Sequence, residues 1–528
     1  MPASVLSILY IFLGTQITIW IGLLLLAIFI FSLLRTRSDL KPASVSTVLI
    51  FTLTIFFSLL LRLASISDAV FPAYFDSAFH FSVIKNIMEH NAAWIFQWLT
   101  VNQYHINFHF LTAFLSSTSH IEITQTMLVL GQVFLAFMPF SLFFPVKRVT
   151  RSDMAAWFAV ILAAFGWYMP AHAVDWGKYP ALMSLGLIIF VINLAFLFSQ
   201  TQDVKKRRVL YPLLGLSILL TVFTHSRSLI IFGIIFLSWI TSSLQKRLSQ
   251  RWQTLVLIGI TLATVVLILF VQKQEILTLV FDPYLVKGPW MTVLVLSLAV
   301  FALKAHTQLI FACILSVSLL LVSLFVPVAW LFPSRNFLTL LDRPFVEMIL
   351  FLHLSLLGGL GLAGLEEKLH GRFPWGRYVG LLMIGLVALN AFFTYNLYPS
   401  SCCVIVGRDD VVAMDWVSNQ LPVKSRIGIS STVMKVNISD VIEGIAGSDA
   451  GIWIAPLTGR ETMSLPYDMD FGQSPALEML CQNSVDHIFV GEVGQTFDVA
   501  QLDSRPEWYR PLFMMSKTRV YEVIGCAS

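Results

Sequence analysis

Charged residues are scarce in this sequence of 528 residues: Asp, Glu, Lys and Arg make up only 12% of it, whereas 57% is hydrophobic. A soluble globular chain carries about a quarter charged residues, and single hydrophobic cores stop growing well below this length. The shortage of charge therefore excludes an ordinary soluble protein. Apolar runs of about 20 residues recur along the chain and indicate a polytopic α-helical membrane protein.

Cysteine is rare and has no metal-binding spacing. Neither a CxxC pair nor an HExxH motif occurs, which removes the common patterns of zinc sites and metalloproteases. We expect the cysteines after residue 400 to be free or incidentally paired, rather than to form a functional disulfide or metal site. The five cysteines are Cys313, Cys402, Cys403, Cys481 and Cys526.

A basic segment is missing before the first apolar run, which is also too long for the apolar core of a signal peptide. We therefore predict a retained helix there, followed by further spans to a total of about 12. The predicted spans are 5–34, 45–66, 123–144, 153–170, 180–199, 209–223, 228–243, 253–271, 290–303, 308–331, 345–365 and 378–397.

Basic residues alternate between the loops that join these spans. One set of loops carries 17 Lys and Arg residues and the other carries 7. The positive-inside rule places the richer set in the cytoplasm. This predicts a multi-pass protein of the plasma membrane with both termini, and the long loop 67–122, on the extracytoplasmic side. A short apolar segment, 105–117, is predicted to be re-entrant or interfacial.

The tail after about residue 400 differs in composition, with 9 Lys and Arg against 16 Asp and Glu. This acidic balance argues against nucleic acid as a partner. Helical and strand-like periodicities alternate along the tail, which predicts a C-terminal soluble α/β domain. The expected division is an extra N-terminal helix and loop at 1–44, a transmembrane domain at 45–399 and the extracytoplasmic domain at 400–528.

Polar residues that suit a site gather in the loops predicted to face outward. Asp76 and His80 lie one helical turn apart. Asp76 could be a helix N-cap, and it could also be a general base, or help to hold a metal, at the mouth of a membrane cavity; the two interpretations are compatible. The next such loop holds His172, Asp175 and Lys178, which suit a phosphate or a sugar, although Asp175 and Lys178 could simply pair.

Basic residues at two further loops are candidates for phosphate binding, because guanidinium groups bind phosphate through paired hydrogen bonds. Arg227 follows His225 between two short spans, and the next outward loop holds Arg335 and Arg343. The alternatives are that Arg343 pairs with Asp342 and that Arg335 reaches the lipid headgroups.

The tail contains a glycine-rich stretch, GSDAGIWIAPLTGR, with Asp449, Trp453 and Arg460. One interpretation is a glycan-binding loop in which Trp453 stacks on a sugar that Asp449 and Arg460 fix. The other is a packed loop with a buried tryptophan and a structural ion pair.

Several of these motifs resemble the GT-C superfamily of membrane glycosyltransferases, in particular uncharacterised bacterial members. The segment YFDSAFHFSVIKNI has Asp76 where that superfamily has an acidic residue. The segment NFHFLTAFLSS resembles its short helix before a span. Similar stretches are VDWGKYPALMSL, AMDWVSNQLP and GSDAGIWIAPLTGR.

The resemblance implies a GT-C-like fold and transfer of a sugar from a polyprenyl-phosphate carrier to a glycan, lipid or protein acceptor on the extracytoplasmic face. Asp76 would be the base of a single inverting displacement, and Lys178 with Arg227, Arg335 or Arg343 would hold the lipid phosphate. The cofactor stays open, with a divalent cation as one candidate. Two alternatives also stay open: a transporter or flippase of lipid-linked glycans, and a non-catalytic membrane scaffold.

Overall fold

A computed structural model describes residues 2–36, 45–102, 104–169, 171–245, 247–273, 278–328, 339–369, 378–395, 402–434 and 444–527. Most of the described chain before the tail is helical. Its α-helices are α1 Pro2–Thr36, α2 Val45–Ala64, α3 Phe75–Glu89, α4 Ala92–Asn102, α5 Asn107–Ser119, α6 Ile123–Phe137, α7 Phe143–Thr150, α8 Asp153–Phe165, α9 Tyr179–Gln200, α10 Val204–Thr224, α11 Ser228–Gln245, α12 Gln250–Gln272, α13 Pro289–Ala305, α14 Thr307–Ser323, α15 Arg343–Leu369 and α16 Val379–Thr394.

Each predicted span overlaps one of these helices, because long apolar runs satisfy their backbone groups internally as helices. Within the described residues, six helical stretches are long and apolar enough to cross a membrane, which confirms the membrane class. Five more apolar helices are shorter than 18 residues. The total of 12 spans therefore stays a prediction. The six long stretches are 123–150, 179–200, 204–224, 228–245, 251–272 and 343–369.

The long first loop contains three short helices, α3, α4 and α5. Helix α5 covers most of the segment predicted to be re-entrant or interfacial, and its residues Phe108 and His109 are fully buried. It packs against α1, where the Tyr10 hydroxyl lies 2.9 Å from Ser117 Oγ. The loop is thus a folded part of the helical core.

The tail forms a mixed six-stranded sheet. Strand β1 (Arg426–Met434) pairs in parallel with β3 (Glu461–Pro466) and β4 (His487–Val490), and antiparallel with β2 (Gly444–Gly447). Strands β5 (Tyr509–Met514) and β6 (Arg519–Val523) complete the order β2-β1-β4-β6-β5. The tail helices are α17 Arg408–Gln420, α18 Ile454–Thr458, α19 Ser474–Gln482 and α20 Val499–Asp503. The predicted α/β character of the tail agrees with this sheet.

The tail sits directly on the long first loop. The Trp453 ring packs against Phe71 and Phe81, with ring centroids 4.8 and 5.6 Å apart. Lys85 Nζ in α3 donates a hydrogen bond to the Pro456 carbonyl at 3.1 Å. The hydrophobic core consequently runs from the helices into the sheet without a break.

The cysteines of the tail are all paired, so the free-thiol part of the expectation of free or incidentally paired cysteines is wrong. Cys481 and Cys526 form a disulfide that ties α19 to the C-terminal 3₁₀ turn, and the neighbours Cys402 and Cys403 form a second one. Cys313 is free and buried. Disulfides of this kind persist in oxidising compartments.

Candidate active site

Asp76 forms an ion pair with Lys178, 102 residues away in the sequence, through a hydrogen bond from Lys178 Nζ to Asp76 Oδ2. Both side chains keep about a quarter of their surface exposed, 25% for Asp76 and 26% for Lys178. Asp76 lies in the first turn of α3, where its charge is favoured by the helix dipole, but the N-cap position belongs to Tyr74. The N-cap interpretation of Asp76 is therefore wrong.

The two loops that carry this ion pair approach each other at Gly177. Gly177 has a positive φ of 63°, and a Cβ atom there would lie 2.7 Å from Ser77 Oγ and 3.1 Å from Asp76 Cβ. Only glycine tolerates both the backbone conformation and this close approach. The glycine thus allows Lys178 to reach the start of α3.

His80, one turn after Asp76, joins the same two loops to α5. Its Nδ1 lies 2.9 Å from His109 Nε2, and its ring also hydrogen-bonds with the backbone of Gly177. Burial, with smaller contributions from His105 and Lys178, lowers the pKa of His80 to about 3. A neutral imidazole in this position fixes the loop, and the predicted role of His80 in substrate binding stays a prediction.

A second ion pair, between Arg227 and Asp342, lies beside the first. Arg227 Nη1 donates to Asp342 Oδ2, and 23% and 15% of the two side chains are exposed. Burial raises the pKa of Asp342, but Arg227 and Lys178 outweigh this effect and bring it below its usual value. Lys178 and Arg227 both lower the pKa of Asp342, so the two cations lie in the same part of the site.

His225, two residues before Arg227, packs between two rings. Its ring centroid is 4.4 Å from that of His105 and 4.8 Å from that of Phe345. The pKa of His105 falls to about 3, chiefly through burial, with contributions from Arg227 and Lys178. His225 is thus part of the wall of the site.

Arg343 approaches the site from the first turn of α15. Its Nε lies 3.7 Å from Glu347 Oε2, and its guanidinium lies 5.8 Å from the centre of the Trp176 ring. The alternative pairing of Arg343 with Asp342 is not seen, because Asp342 binds Arg227. Burial and Asp76 raise the pKa of Tyr74 to about 12, and Arg343 opposes this rise. Arg343 and Asp76 thus both act on Tyr74.

These five residues, Asp76, Lys178, Arg227, Asp342 and Arg343, are named the ion-pair cluster below. The sequence predicted four of them and missed Asp342, whose carboxylate follows Leu341 in an apolar loop. An acidic residue immediately before a candidate phosphate-binding arginine was the available signal. Arg335 lies outside the described residues.

His172 and Asp175 form a buried pair of their own within a 3₁₀ turn (Ala171–Trp176). His172 Nδ1 lies 2.9 Å from Asp175 Oδ2, and the His172 ring stacks on Tyr168. The alternative pairing of Asp175 with Lys178 is therefore wrong, since each residue has a different partner. The pair sets the shape of the turn that leads into Lys178.

The residues predicted for a glycan-binding loop in the tail are buried. Trp453 is fully buried against Phe71 and Phe81, so no ring face is open to a sugar. Asp449 accepts hydrogen bonds from the backbone N–H groups of Gly451 and Gly491 at 2.9 Å. The predicted stacking on a sugar is contradicted, and the packed-loop alternative describes Trp453.

Arg460 also serves the packing of the tail. Its guanidinium donates to the backbone carbonyls of Thr458, Ser418 and Leu421 at 2.7 to 2.8 Å. These bonds join the end of α18 to the end of α17. The expected ion pair of Asp449 with Arg460 is replaced by bonds from each residue to the backbone.

A divalent cation does not fit the described residues around Asp76. No group of three or more His, Cys, Asp and Glu side chains in the described ranges is placed to hold a metal ion. Such cations require several oxygen ligands, whereas the Asp76 carboxylate is bound by the ammonium group of Lys178. The mechanism below therefore takes no step through a metal.

Residues 2–284 match the model of a family of unknown function (DUF6541). The chain belongs to this family. The matched part includes Asp76, Lys178 and Arg227, so three members of the ion-pair cluster lie within the family's own region. No curated protein sequence matches the chain.

The fold is similar to that of a solved glycosyl-transfer enzyme. The archaeal oligosaccharyltransferase AglB from Archaeoglobus fulgidus, solved in complex with an inhibitory peptide and a dolichol-phosphate, superposes with a TM-score of 0.50. The alignment covers 84% of this chain and 69% of AglB, at 11% sequence identity. At this identity the similarity concerns the fold alone, and it supports the expected GT-C-like architecture. The narrower expectation of a bacterial type that uses polyprenyl-phosphate sugars stays a prediction.

Proposed function

We propose that this protein is a membrane glycosyltransferase that moves a sugar from a polyprenyl-phosphate donor to a hydroxyl group of a glycan, lipid or protein acceptor. The observation that carries the proposal is the ion-pair cluster, in which a partly exposed carboxylate, Asp76, binds Lys178 and in which Arg227 and Arg343 add two further cations. A glycosyltransferase of this type needs a base for the acceptor and cations for the phosphate leaving group.

Asp76 is the general base of the proposed reaction. Its carboxylate takes the proton of the acceptor hydroxyl while the acceptor oxygen attacks the anomeric carbon from the face opposite the phosphate. The bond between the anomeric carbon and the phosphate oxygen breaks, and its electron pair stays on the polyprenyl phosphate. One displacement of this kind inverts the anomeric configuration.

Lys178 couples donor binding to the availability of this base. The ammonium group binds Asp76, and the charged oxygens of the donor phosphodiester, which gains a second negative charge as the sugar leaves, compete for the same ammonium. When the Lys178 ammonium binds the phosphate instead of Asp76, the Asp76 carboxylate is able to accept a proton. Arg343 and Arg227 add positive charge at the same place, which stabilises the leaving phosphate.

We also propose that the site lies on the extracytoplasmic face of the plasma membrane and that the tail forms a domain from about residue 400. The disulfide between Cys481 and Cys526 supports this placement, because such bonds persist outside the reducing cytosol. The tail contacts the long first loop, so both lie on one side of the protein.

Replacement of Asp76 by Asn tests the proposal. The variant keeps the size of the side chain and loses its basicity, so we expect turnover to fall about 10²- to 10⁴-fold. Transfer of radiolabelled sugar is measured with purified full-length protein and a panel of polyprenyl-phosphate sugars. The control is Glu89→Gln, which removes an exposed carboxylate from the other end of α3. Full activity of Asp76→Asn would rule out the base role.

A further inference from the structure

A second polar site lies next to the ion-pair cluster. It is a partly enclosed cavity of about 250 Å³ between the loop 65–73, helix α6, the turn that contains Asp175, and the tail segment 404–406. Asp76 and the three cations of the ion-pair cluster do not line it. The cavity is near the small end of the range of ligand pockets, roughly 300 to 1,000 Å³, so it suits one small group.

Gln132 of α6 points to a ligand in this cavity. It lines the cavity and is only 1% exposed, yet neither its Oε1 nor its Nε2 has a hydrogen-bond partner within the described structure. Buried polar groups nearly always have partners, because a lost hydrogen bond to water costs free energy. A buried carboxamide offers one acceptor and one donor side by side, which matches a group that both donates and accepts.

The charged residues that line the cavity disfavour the binding of an anion. None of the lining residues shown by the structure is Lys or Arg, and the two that carry charge are Asp68 and Asp175. A phosphate would meet negative groups here, whereas hydroxyl groups can donate to carboxylates. The cavity therefore differs in kind from the cationic cluster beside it, and a neutral ligand is favoured.

The remaining walls are mostly apolar and include Leu128, Val174, Phe71 and Tyr179. A sugar ring presents C–H faces to such walls and hydroxyl groups to polar atoms. We propose that this cavity binds a neutral monosaccharide unit, whose adjacent hydroxyl groups donate to and accept from the Gln132 carboxamide. Its use as a subsite for a sugar of the transferase rests on the function proposed above, whereas the binding itself does not require that Asp76 is catalytic.

Replacement of Gln132 by Met tests the inference, because Met has a similar length and no hydrogen-bonding amide. The probes are the methyl glycosides of glucose, mannose and arabinose, with inorganic phosphate as the charged comparison. Binding to full-length protein in detergent is measured by saturation-transfer NMR titration. We expect at least one glycoside to bind and its affinity to fall about tenfold or more in Gln132→Met, as for the loss of a pair of buried hydrogen bonds.

Matched variants separate this result from other outcomes. Gln125→Met changes an exposed glutamine of the same helix and should bind like the unmodified protein. Thermal unfolding should show that Gln132→Met remains folded, because it removes an unpaired buried amide. The inference is overturned if no glycoside binds, if Gln132→Met binds glycosides with unchanged affinity, or if phosphate binding is the activity that Gln132→Met loses.

The Asp76→Asn variant distinguishes this inference from the proposed function. If the glycoside still binds to Asp76→Asn while transfer is lost, both proposals stand. If transfer is unaffected by Asp76→Asn but glycoside binding still depends on Gln132, the transferase mechanism fails and the sugar site stands.

Discussion

The ion-pair cluster and the tail loop around Trp453 contain the same kinds of residue, acidic, basic and aromatic, but use them differently. In the ion-pair cluster each carboxylate binds a cation from a distant part of the chain, and Asp76 and Lys178 stay partly exposed. In the tail loop Asp449 and Arg460 are buried and bind mainly the backbone. A partly exposed charged group can exchange its protein partner for a ligand. A buried charged group that is hydrogen-bonded to the backbone instead holds the local structure in place.

Two buried carboxylates show the same contrast. Asp342 lies beside Arg227, which helps to bring its pKa below the usual value. No lysine or arginine acts on the Asp449 carboxyl, and burial raises its pKa to about 7. A paired cation therefore decides the charge state more strongly than two backbone N–H donors do. The comparison predicts that substitutions in the ion-pair cluster reduce turnover and that substitutions in the tail loop reduce stability.

The largest effect on stability is expected for Trp453→Ala. The ring is fully buried between the tail and the long first loop, and truncation of such a residue costs about 3–5 kcal/mol in the free energy of unfolding. Denaturant unfolding followed by fluorescence measures this loss. Trp252→Ala, at a 60% exposed tryptophan, serves as control. A Trp453→Ala protein as stable as the control would show that the tail does not rely on this contact.

A smaller effect, on turnover alone, is expected for Lys178→Met. This variant removes one donor to the leaving phosphate, which lowers turnover about 10²- to 10³-fold, while the partial exposure of Asp76 keeps the stability close to that of the unmodified protein. Transfer assays and unfolding are measured on the same preparation. Lys273→Met, at an exposed lysine, is the control. Normal turnover with reduced stability would remove Lys178 from the site and make the ion pair a structural one.

The difference between the two regions could be predicted only in part from the sequence. Hydropathy locates the helices, since each apolar run must form one, and loop charge concentrates the candidate residues in a few loops. Spacing alone does not choose between His172 and Lys178 as the partner of Asp175, because each lies three residues from it, and the structure pairs Asp175 with His172. The pair of Asp76 with Lys178 spans 102 residues, and no periodicity encodes which distant loops meet.

The sequence left open whether the tail loop is buried or binds a glycan. Trp453 is covered by Phe71 and Phe81, which belong to a loop almost 400 residues earlier. The sequence around Trp453 does not show this cover, so an aromatic side chain among glycines is also compatible with a glycan-binding site. Gln132 was missed because a single glutamine within an apolar span does not alter the prediction of a membrane helix. Polar groups at such depth are costly and commonly functional, and this was the signal that could have found it.

The smallest expected effect is the change in stability with pH that results from the titration of Asp449. The pKa of this carboxyl is about 7 in the folded protein against 3.8 for the unperturbed group, so the folded state binds the proton more tightly than the unfolded state. The resulting stability is fully present below pH 3.8 and is lost as the pH rises to about 7. Between those values the loss amounts to about 1.4 kcal/mol for each pH unit.

Asp449→Asn removes the titratable group. Asp449 accepts from Gly451 through Oδ1 and from Gly491 through Oδ2, whereas Asn has one side-chain oxygen, so the variant also loses one of these bonds. That loss does not depend on pH, and the change of the stability difference with pH therefore isolates the titration. The stability of the unmodified protein relative to the variant should decline between about pH 5 and 7 and level off above about pH 7. Urea unfolding at a series of pH values measures this difference. A difference that stays constant with pH would mean that Asp449 is ionised throughout. Two backbone N–H groups would then stabilise its charge as well as Arg227 stabilises that of Asp342, and the contrast between the two regions would rest on exposure alone.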